Sequence, residues 1–195
     1  MRALELFAGA GGAALGIERA GLDHAALVEW DDRACDTLAA AGLGPVVRAD
    51  VRDLEAIASV VETTEDRAWQ RAGDALLDSD LDGEAWTLAR EELAMQMLED
   101  ARRIFLMWSS WPCQPWSTAG SKRGASDERN GWPWTVNAID RFRPRWFLGE
   151  NVRGLLEHRE EGHPDPFRCP RCYLESVIVP QLQSRFEYAG WFLID

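Results

Sequence analysis

The stretch Trp111-Pro112-Cys113-Gln114-Pro115-Trp116-Ser117 sets a thiol between two prolines. A cysteine thiolate is a strong nucleophile, and flanking prolines fix the backbone and rule out helix. The apolar run Ile104–Trp108 leads into the stretch and stops at Ser109-Ser110. That pattern predicts a buried strand giving way to a loop. Cys113 then stands at the end of a strand, where open α/β sheets do their chemistry. A second polar group has the same placement: Trp146-Phe147-Leu148-Gly149 reads as a strand that ends in Glu150-Asn151-Val152. Taken alone, Cys113 is a small buried hydrophobe, the common fate of a free cysteine. The pattern around it points to a nucleophile.

The start of the chain suggests a pocket for a nucleoside. Ala3–Phe7 reads as a first strand, Ala8-Gly9-Ala10-Gly11-Gly12 as a glycine turn, and about 13–20 as a helix capped by Gly21. Strand, glycine turn and helix bring bare amides and the positive helix end to a ligand. A second strand, about His24–Trp30, ends in Glu29-Trp30-Asp31. An acid at that place can accept from two ribose hydroxyls, and Trp30 offers a flat face to an adenine. A solvated strand end is the plainer reading. A third strand, Pro45–Asp50, ends in a carboxylate that either meets an adenine amino group or caps the helix from about Asp53. Between these strands lies a helix, Arg33–Ala41, capped by Asp31 or Asp32 and closed by Gly42. Cys35 faces inward there as core filling.

These residues need a frame, and composition bounds it. The chain has 195 residues, enough for one domain with one sizeable core. Its net charge of −12 argues against a chain that grips nucleic acid through a general positive field. The charge is uneven: residues 62–103 hold 12 acidic and 5 basic side chains, whereas 104–195 hold 11 of each. Helical spacing of Trp69, Ala72 and Leu76, then of Trp86, Ala89, Leu93 and Met97, predicts an acidic helical hairpin over 62–103. Its turn falls at Asp78–Gly83, and its stripes read as packing faces. After the Cys113 loop, residues 118–131 read as a mobile loop whose Lys122, Arg123 and Arg129 suit phosphate contact. Helices are expected at about 134–142 and 174–188, and a last strand at Trp191–Ile194. Strands and helices alternate, so the expectation is an α/β, doubly wound, mainly parallel sheet.

His158, His163, Cys169 and Cys172 form a His-x4-His-x5-Cys-x2-Cys string. A Cys-Pro-Arg-Cys turn suits two thiolates on one zinc. A four-ligand structural zinc in a loop over 158–172 and a polar loop with incidental thiols both stay open. Four cysteines in a chain this long do not suggest a disulfide framework. No signal peptide or membrane span is legible, so a reducing cytoplasm is the default.

Phe7-Ala8-Gly9-Ala10-Gly11-Gly12, Glu29-Trp30, Asp50, Pro112-Cys113-Gln114 and Glu150-Asn151-Val152 occur in the order seen in DNA (cytosine-5) methyltransferases. The chain resembles the N-terminal catalytic part of that family over nearly its whole length, apart from 62–103 and the His/Cys loop. The resemblance implies a class I S-adenosylmethionine-dependent, Rossmann-like fold and methyl transfer to C5 of a flipped cytosine in DNA. By resemblance Cys113 adds at C6, Glu150 hydrogen-bonds N3, Asn151 orients the Cys113 loop, and Arg129 with Asn130 forms the motif after the mobile loop. Phe7, Ala8, Gly9, Gly11, Gly12, Glu29, Trp30, Asp50, Val51 and Pro112 would line the cofactor pocket. Glu150 is expected between apolar strands. Trp111 stands where the family usually has proline.

The family continues past this last strand with a Gln-Arg-Arg-type motif, a target-recognition domain and a segment that completes the cofactor pocket. The resemblance therefore implies a partial catalytic domain that needs a complementing chain. The alternative is an inactive remnant that binds S-adenosylmethionine or a partner protein. The spacing Gly9-x-Gly11-x-x-Ala14 also admits an NAD-type oxidoreductase, which leaves Pro112-Cys113-Gln114 and Glu150 unexplained.

Overall fold

The computed structural model describes residues 1–77, 88–117, 123–157 and 169–194. The chain divides into two compact units, 1–109 with 141–148, and 110–140 with 149–195.

The first unit is built on a five-stranded sheet in the order β3-β2-β1-β4-β5. The strands are β1 (Arg2–Leu6), β2 (Asp23–Glu29), β3 (Val46–Arg48), β4 (Ile104–Ser109) and β5 (Trp146–Gly149). Strand β1 pairs in parallel with both β2 and β4, and β2 with β3. The order reverses at β1, which is the switch point of a doubly wound sheet. This is the α/β architecture expected from the alternating pattern. All five residues of β1 are buried, as a parallel strand covered on both faces requires. Its one cation is satisfied: the Arg2 guanidinium donates to the Val61 and Arg102 carbonyls and to Thr64 Oγ1.

Local chemistry sets the helix ends. Helix α1 (Gly12–Arg19) starts after Gly11 at φ +92° and ends at Gly21, whose φ of +83° lets its amide reach the Glu18 carbonyl at 2.8 Å. Asp31 Oδ1 accepts from the Ala34 amide at 2.9 Å to cap α2 (Asp32–Ala41), and Gly42 closes it. Helix α2 buries Cys35 and Leu38. Leu38 joins Ala8, Ala14 and Leu27 in a cluster backed by Leu43 and Val46.

Helix α3 (Leu54–Leu77) is capped by Asp53, whose Oδ1 accepts from the Ala56 amide at 3.1 Å. It runs through residue 62 unbroken, so the expected hairpin has no helix boundary at that end. Its first turns bury Ile57, Ala58 and Val61, and α3 packs against β2 and then α4 (Leu88–Arg102). The expected turn at 78–83 lies outside the described residues. The stripes are only partly packing faces. Met97 is 53% exposed, and Trp69 carries the Arg102 guanidinium 5.3 Å from its ring centroid.

In the second unit, residues 110–117 form a turn without helix, and short 3₁₀ turns cover Gly124–Ser126 and Arg153–Leu156. Helix α5 (Trp132–Phe142) begins two residues before the expected start, because Asn130 Oδ1 accepts from the Trp132 amide and Pro133 is tolerated in a first turn. The expected helix 174–188 is instead one helical run from Pro170 to Gln183: α6 (Pro170–Tyr173), a π-helical turn at Leu174–Ile178, and α7 (Val179–Gln183). Pro180 has no amide for the i−4 bond and crowds that carbonyl, so the widened turn before it relieves the clash. The expected strand at 191–194 does not form. Those residues are exposed and without regular structure, since a strand persists only where it is paired.

Candidate active site

The glycine turn of the first unit is held open by backbone geometry. Phe7 and Gly9 have φ of +56° and +55°, a region that costs a non-glycine residue strain. The Ala8 amide donates to the Val28 carbonyl and the Gly11 amide to the Ala8 carbonyl. A Cβ at Gly9 or Gly12 would meet open space, whereas one at Gly11 would lie 2.8 Å from Leu38 Cδ2. Gly11 thus lets the turn sit on the core, and Gly9 and Gly12 leave its outer side clear. No side chain among the described residues caps α1, and an uncapped helix start is suited to an anion.

Glu29 is buried at the end of β2. Its Oε2 accepts from the Gly9 amide at 2.8 Å, and its Oε1 accepts from Trp30 and Asp31 amides at 2.8 and 2.9 Å. It ties the glycine turn to the strand end and keeps about one lone-pair position for another donor. Trp30 next to it is 73% exposed, with its ring free to stack. Asp50 takes three bonds from Arg52, which holds its carboxyl below the ordinary range. Asp53, not Asp50, caps the following helix. Val51 is buried beside it.

The second unit holds Cys113. The Cys113 carbonyl accepts from the Trp116 and Ser117 amides at 2.9 and 2.8 Å, and the Pro115 carbonyl from the Gly124 amide at 3.2 Å. Cys113 is half-buried at the bend, like Pro112. Asn151 Nδ2 donates to the Trp111 carbonyl at 3.0 Å, while its Oδ1 accepts from the Val152 amide. That bond joins the Cys113 loop to the segment after β5. Glu150 is exposed there, because β5 is an edge strand with three of four residues exposed. The expected setting between apolar strands is therefore not found. The Arg129 guanidinium grips buried Asp127 through Nε at 2.8 Å and Nη2 at 2.7 Å, holding that carboxyl down to about 2.

A family model of C-5 cytosine-specific DNA methylases matches residues 1–61 and 92–167, leaving out most of the α3–α4 hairpin. The chain belongs to this family. It is 29% identical over 160 residues to the type II methyltransferase M.NgoMIV of Neisseria gonorrhoeae, covering 82% of this chain and 38% of that protein. It is 29% identical over 163 residues to M.NaeI of Lentzea aerocolonigenes, covering 84% and 30%. A crystal structure of a Spodoptera frugiperda DNMT2 mutant matches with a TM-score of 0.47 at 16% identity, covering 93% of this chain and 40% of that one. The chain spans about a third of the length of the curated relatives it matches.

Within the cytosine-5 methylase segment, the expected residues fall into two groups: Phe7 to Asp50 on the first unit, and Pro112, Cys113, Arg129, Glu150 and Asn151 on the second. Of the zinc string, His158 and His163 lie outside the described residues. Cys169 is buried, and its Sγ accepts from the Cys172 amide at 3.5 Å. Among the described residues no cluster of three or more His, Cys, Asp or Glu could hold a metal, and no helix is long and apolar enough to cross a membrane. Sequence reading missed the aromatic partners of the Cys113 loop, Trp132 on Trp111 and Tyr173 on Trp116, and Gln181, which accepts from Trp132. Ten tryptophans in 195 residues were the available signal.

Proposed function

We propose that this chain is the catalytic segment of a DNA cytosine-5 methyltransferase that works with a complementing chain carrying the target-recognition part. The observation that carries the reading is the Cys113 turn: a half-buried thiol at a proline-fixed bend, anchored by Asn151, in a chain of this family. S-adenosylmethionine, when bound, supplies an electrophilic methyl group. The first unit suits such a cofactor: open space above Gly9 and Gly12, uncapped α1 amides for a carboxylate, Glu29 for ribose and exposed Trp30 for adenine.

C5 of cytosine is too weak a nucleophile to take a methyl unaided. Cys113 as thiolate adds to C6 and makes C5 enamine-like. Glu150, in its acid form, donates a hydrogen bond to N3 and so offsets the negative charge that develops on the ring. Once C5 carries the methyl and the donor sulfur has left as a neutral thioether, the C5 proton passes to water, the C5–C6 double bond re-forms and Cys113 is expelled as thiolate. A base in a duplex is out of reach of such a thiol, so the cytosine must be flipped. Arg129, released from Asp127, is a donor for phosphate. The type II names of the relatives suggest a restriction-modification setting.

The test is covalent trapping on DNA containing 5-fluorocytosine, with cofactor, with and without a candidate partner chain. An adduct mapped to Cys113 and lost in Cys113→Ser supports the reading. No adduct and no methyl transfer in either case refutes it. A second reading is an inactive remnant that binds S-adenosylmethionine or a partner protein; the protein donors that largely occupy the Glu29 and Asp50 carboxylates favour its partner-binding form. Calorimetry with S-adenosylmethionine separates the two remnant forms. A structural zinc on His158, His163, Cys169 and Cys172 is part of our reading, supported by the Cys169–Cys172 turn. Metal analysis finding no stoichiometric zinc removes it.

A further inference from the structure

Two tryptophans bracket Cys113, and both are buried: Trp111 two residues before it and Trp116 three residues after it. Neither indole N–H has an acceptor among the described residues. Their rings are therefore positioned by packing rather than by hydrogen bonds. Trp111 meets the Trp132 ring edge-on, with centroids 5.2 Å apart at 61°. Trp116 stacks on Tyr173 at 4.7 Å and 25°.

The two contacts share one support. Tyr173 and Gln181 lie on the helical run Pro170–Gln183. Gln181 Oε1 accepts from Trp132 Nε1 at 2.7 Å. The Tyr173 hydroxyl accepts from Asn130 Nδ2 at 3.1 Å, and Asn130 Oδ1 accepts from the Trp132 amide at 3.3 Å. One helix thus backs both walls of the nucleophile's loop, and Tyr173 touches one wall by its ring and the other through Asn130. Tyr173 is 3% exposed, so the stack is shielded from water. Gly154 also approaches the loop closely, since a Cβ there would lie 3.0 Å from the Trp116 carbonyl.

We propose that Tyr173 is a positioning residue for Cys113: its ring, through Trp116, fixes the bend that aims the thiol. The proposal rests on the reading of Cys113 as nucleophile. A tyrosine held this way acts by shape, and its hydroxyl serves mainly to keep Asn130 in place.

The test is the rate of alkylation of Cys113 by iodoacetamide across a pH series, mapped by mass spectrometry, for the parent chain, Tyr173→Phe and Tyr173→Leu. Buried Cys35 on the first unit is the internal reference, and a thermal melt checks folding. Tyr173→Phe keeps the ring and should retain the parent profile. Tyr173→Leu removes the stack and should change the Cys113 rate several-fold and move the midpoint of its pH profile, with Cys35 still protected. An unchanged profile in Tyr173→Leu, or an equal change in both variants, overturns the proposal. If Tyr173→Leu exposes Cys35 as well, Trp116→Phe, which shortens the same stack, decides by the same two outcomes. Failure of 5-fluorocytosine trapping in the parent would refute the catalytic reading while leaving the alkylation comparison intact, so the two failures are distinguishable.

Discussion

Glu5 sits in the middle of the central strand, in register with Leu27 on one side and Trp108 on the other, at 1% exposure. Its Oε2 has no hydrogen-bond partner among the described residues. Burial pushes its carboxyl from the ordinary 4.5 up to about 7. At ~1.4 kcal/mol per pH unit, that is about 3 kcal/mol against the charged form in the folded state. Because the folded value is raised, Glu5 costs nothing below the unfolded value, where both states are protonated. Stability is then lost as pH rises from the unfolded value through the folded one, and the loss is complete above it. Glu5→Gln keeps the shape and cannot ionise. We expect parent and variant to share the same pH dependence near about pH 3, below both values, and the variant to gain about 3 kcal/mol relative to the parent between there and about pH 8, or roughly 6–12 °C in midpoint for a chain this size. Urea or thermal unfolding of both proteins at matched pH gives the difference directly, since all other titrations cancel. A parent–variant difference that does not change with pH would refute the reasoning, whatever its absolute size.

Gly11→Ala should cost about 1–3 kcal/mol in thermal unfolding, because it combines a φ of +92° with a Cβ 2.8 Å from Leu38 Cδ2. Glu29→Gln leaves at least one buried amide facing a donor instead of an acceptor, so a loss of about 1–3 kcal/mol is expected, together with weaker S-adenosylmethionine binding by calorimetry. Asp127 is held down to about 2 by Arg129, so its stabilising contribution is present above the ordinary carboxylate range and is lost as pH falls through the folded value. Asp127→Asn should flatten the acid side of the stability profile, measured by urea midpoints across that range.

Much of the frame could be read because local rules agree with the global one. Gly21 and Gly42 close helices where positive φ is needed, Asp31 caps α2, and prolines around Cys113 exclude helix, all features written in single residues. The positions of Phe7, Cys113 and Glu150 at strand ends followed from short apolar runs. What was illegible depends on distant partners. The occupation of Glu29 by three amides, the exposure of β5 and the failure of 191–194 to form a strand are set by what lies beside each segment, and periodicity does not encode neighbours. Helix α3 passes through 62 because Ile57, Ala58 and Val61 pack on the sheet and the same helix continues outward. A change in charge at that residue reads like a boundary but breaks no hydrogen bond.

The Cys113 loop also explains why tryptophan stands at 111. A proline there would donate nothing and pack little. The indole at Trp111 buries its ring against Trp132 and leaves its N–H unpaired among the described residues. An unpaired buried donor costs about 1–3 kcal/mol, and Trp116 repeats the arrangement. Aromatic contacts of this kind contribute about 0.5–1.5 kcal/mol beyond area burial, so the ring–ring terms alone do not offset two orphaned N–H groups. The area does, since burying an aromatic side chain removes on the order of 150–250 Å² each from water, at about 25 cal/mol per Å². The loop is thus held by non-directional burial on both sides of Cys113. Its directional anchors include backbone turns and the Asn151–Trp111 bond. That burial holds the bend by shape, which is why Tyr173→Leu, and not Tyr173→Phe, is expected to change the rate at which Cys113 is alkylated.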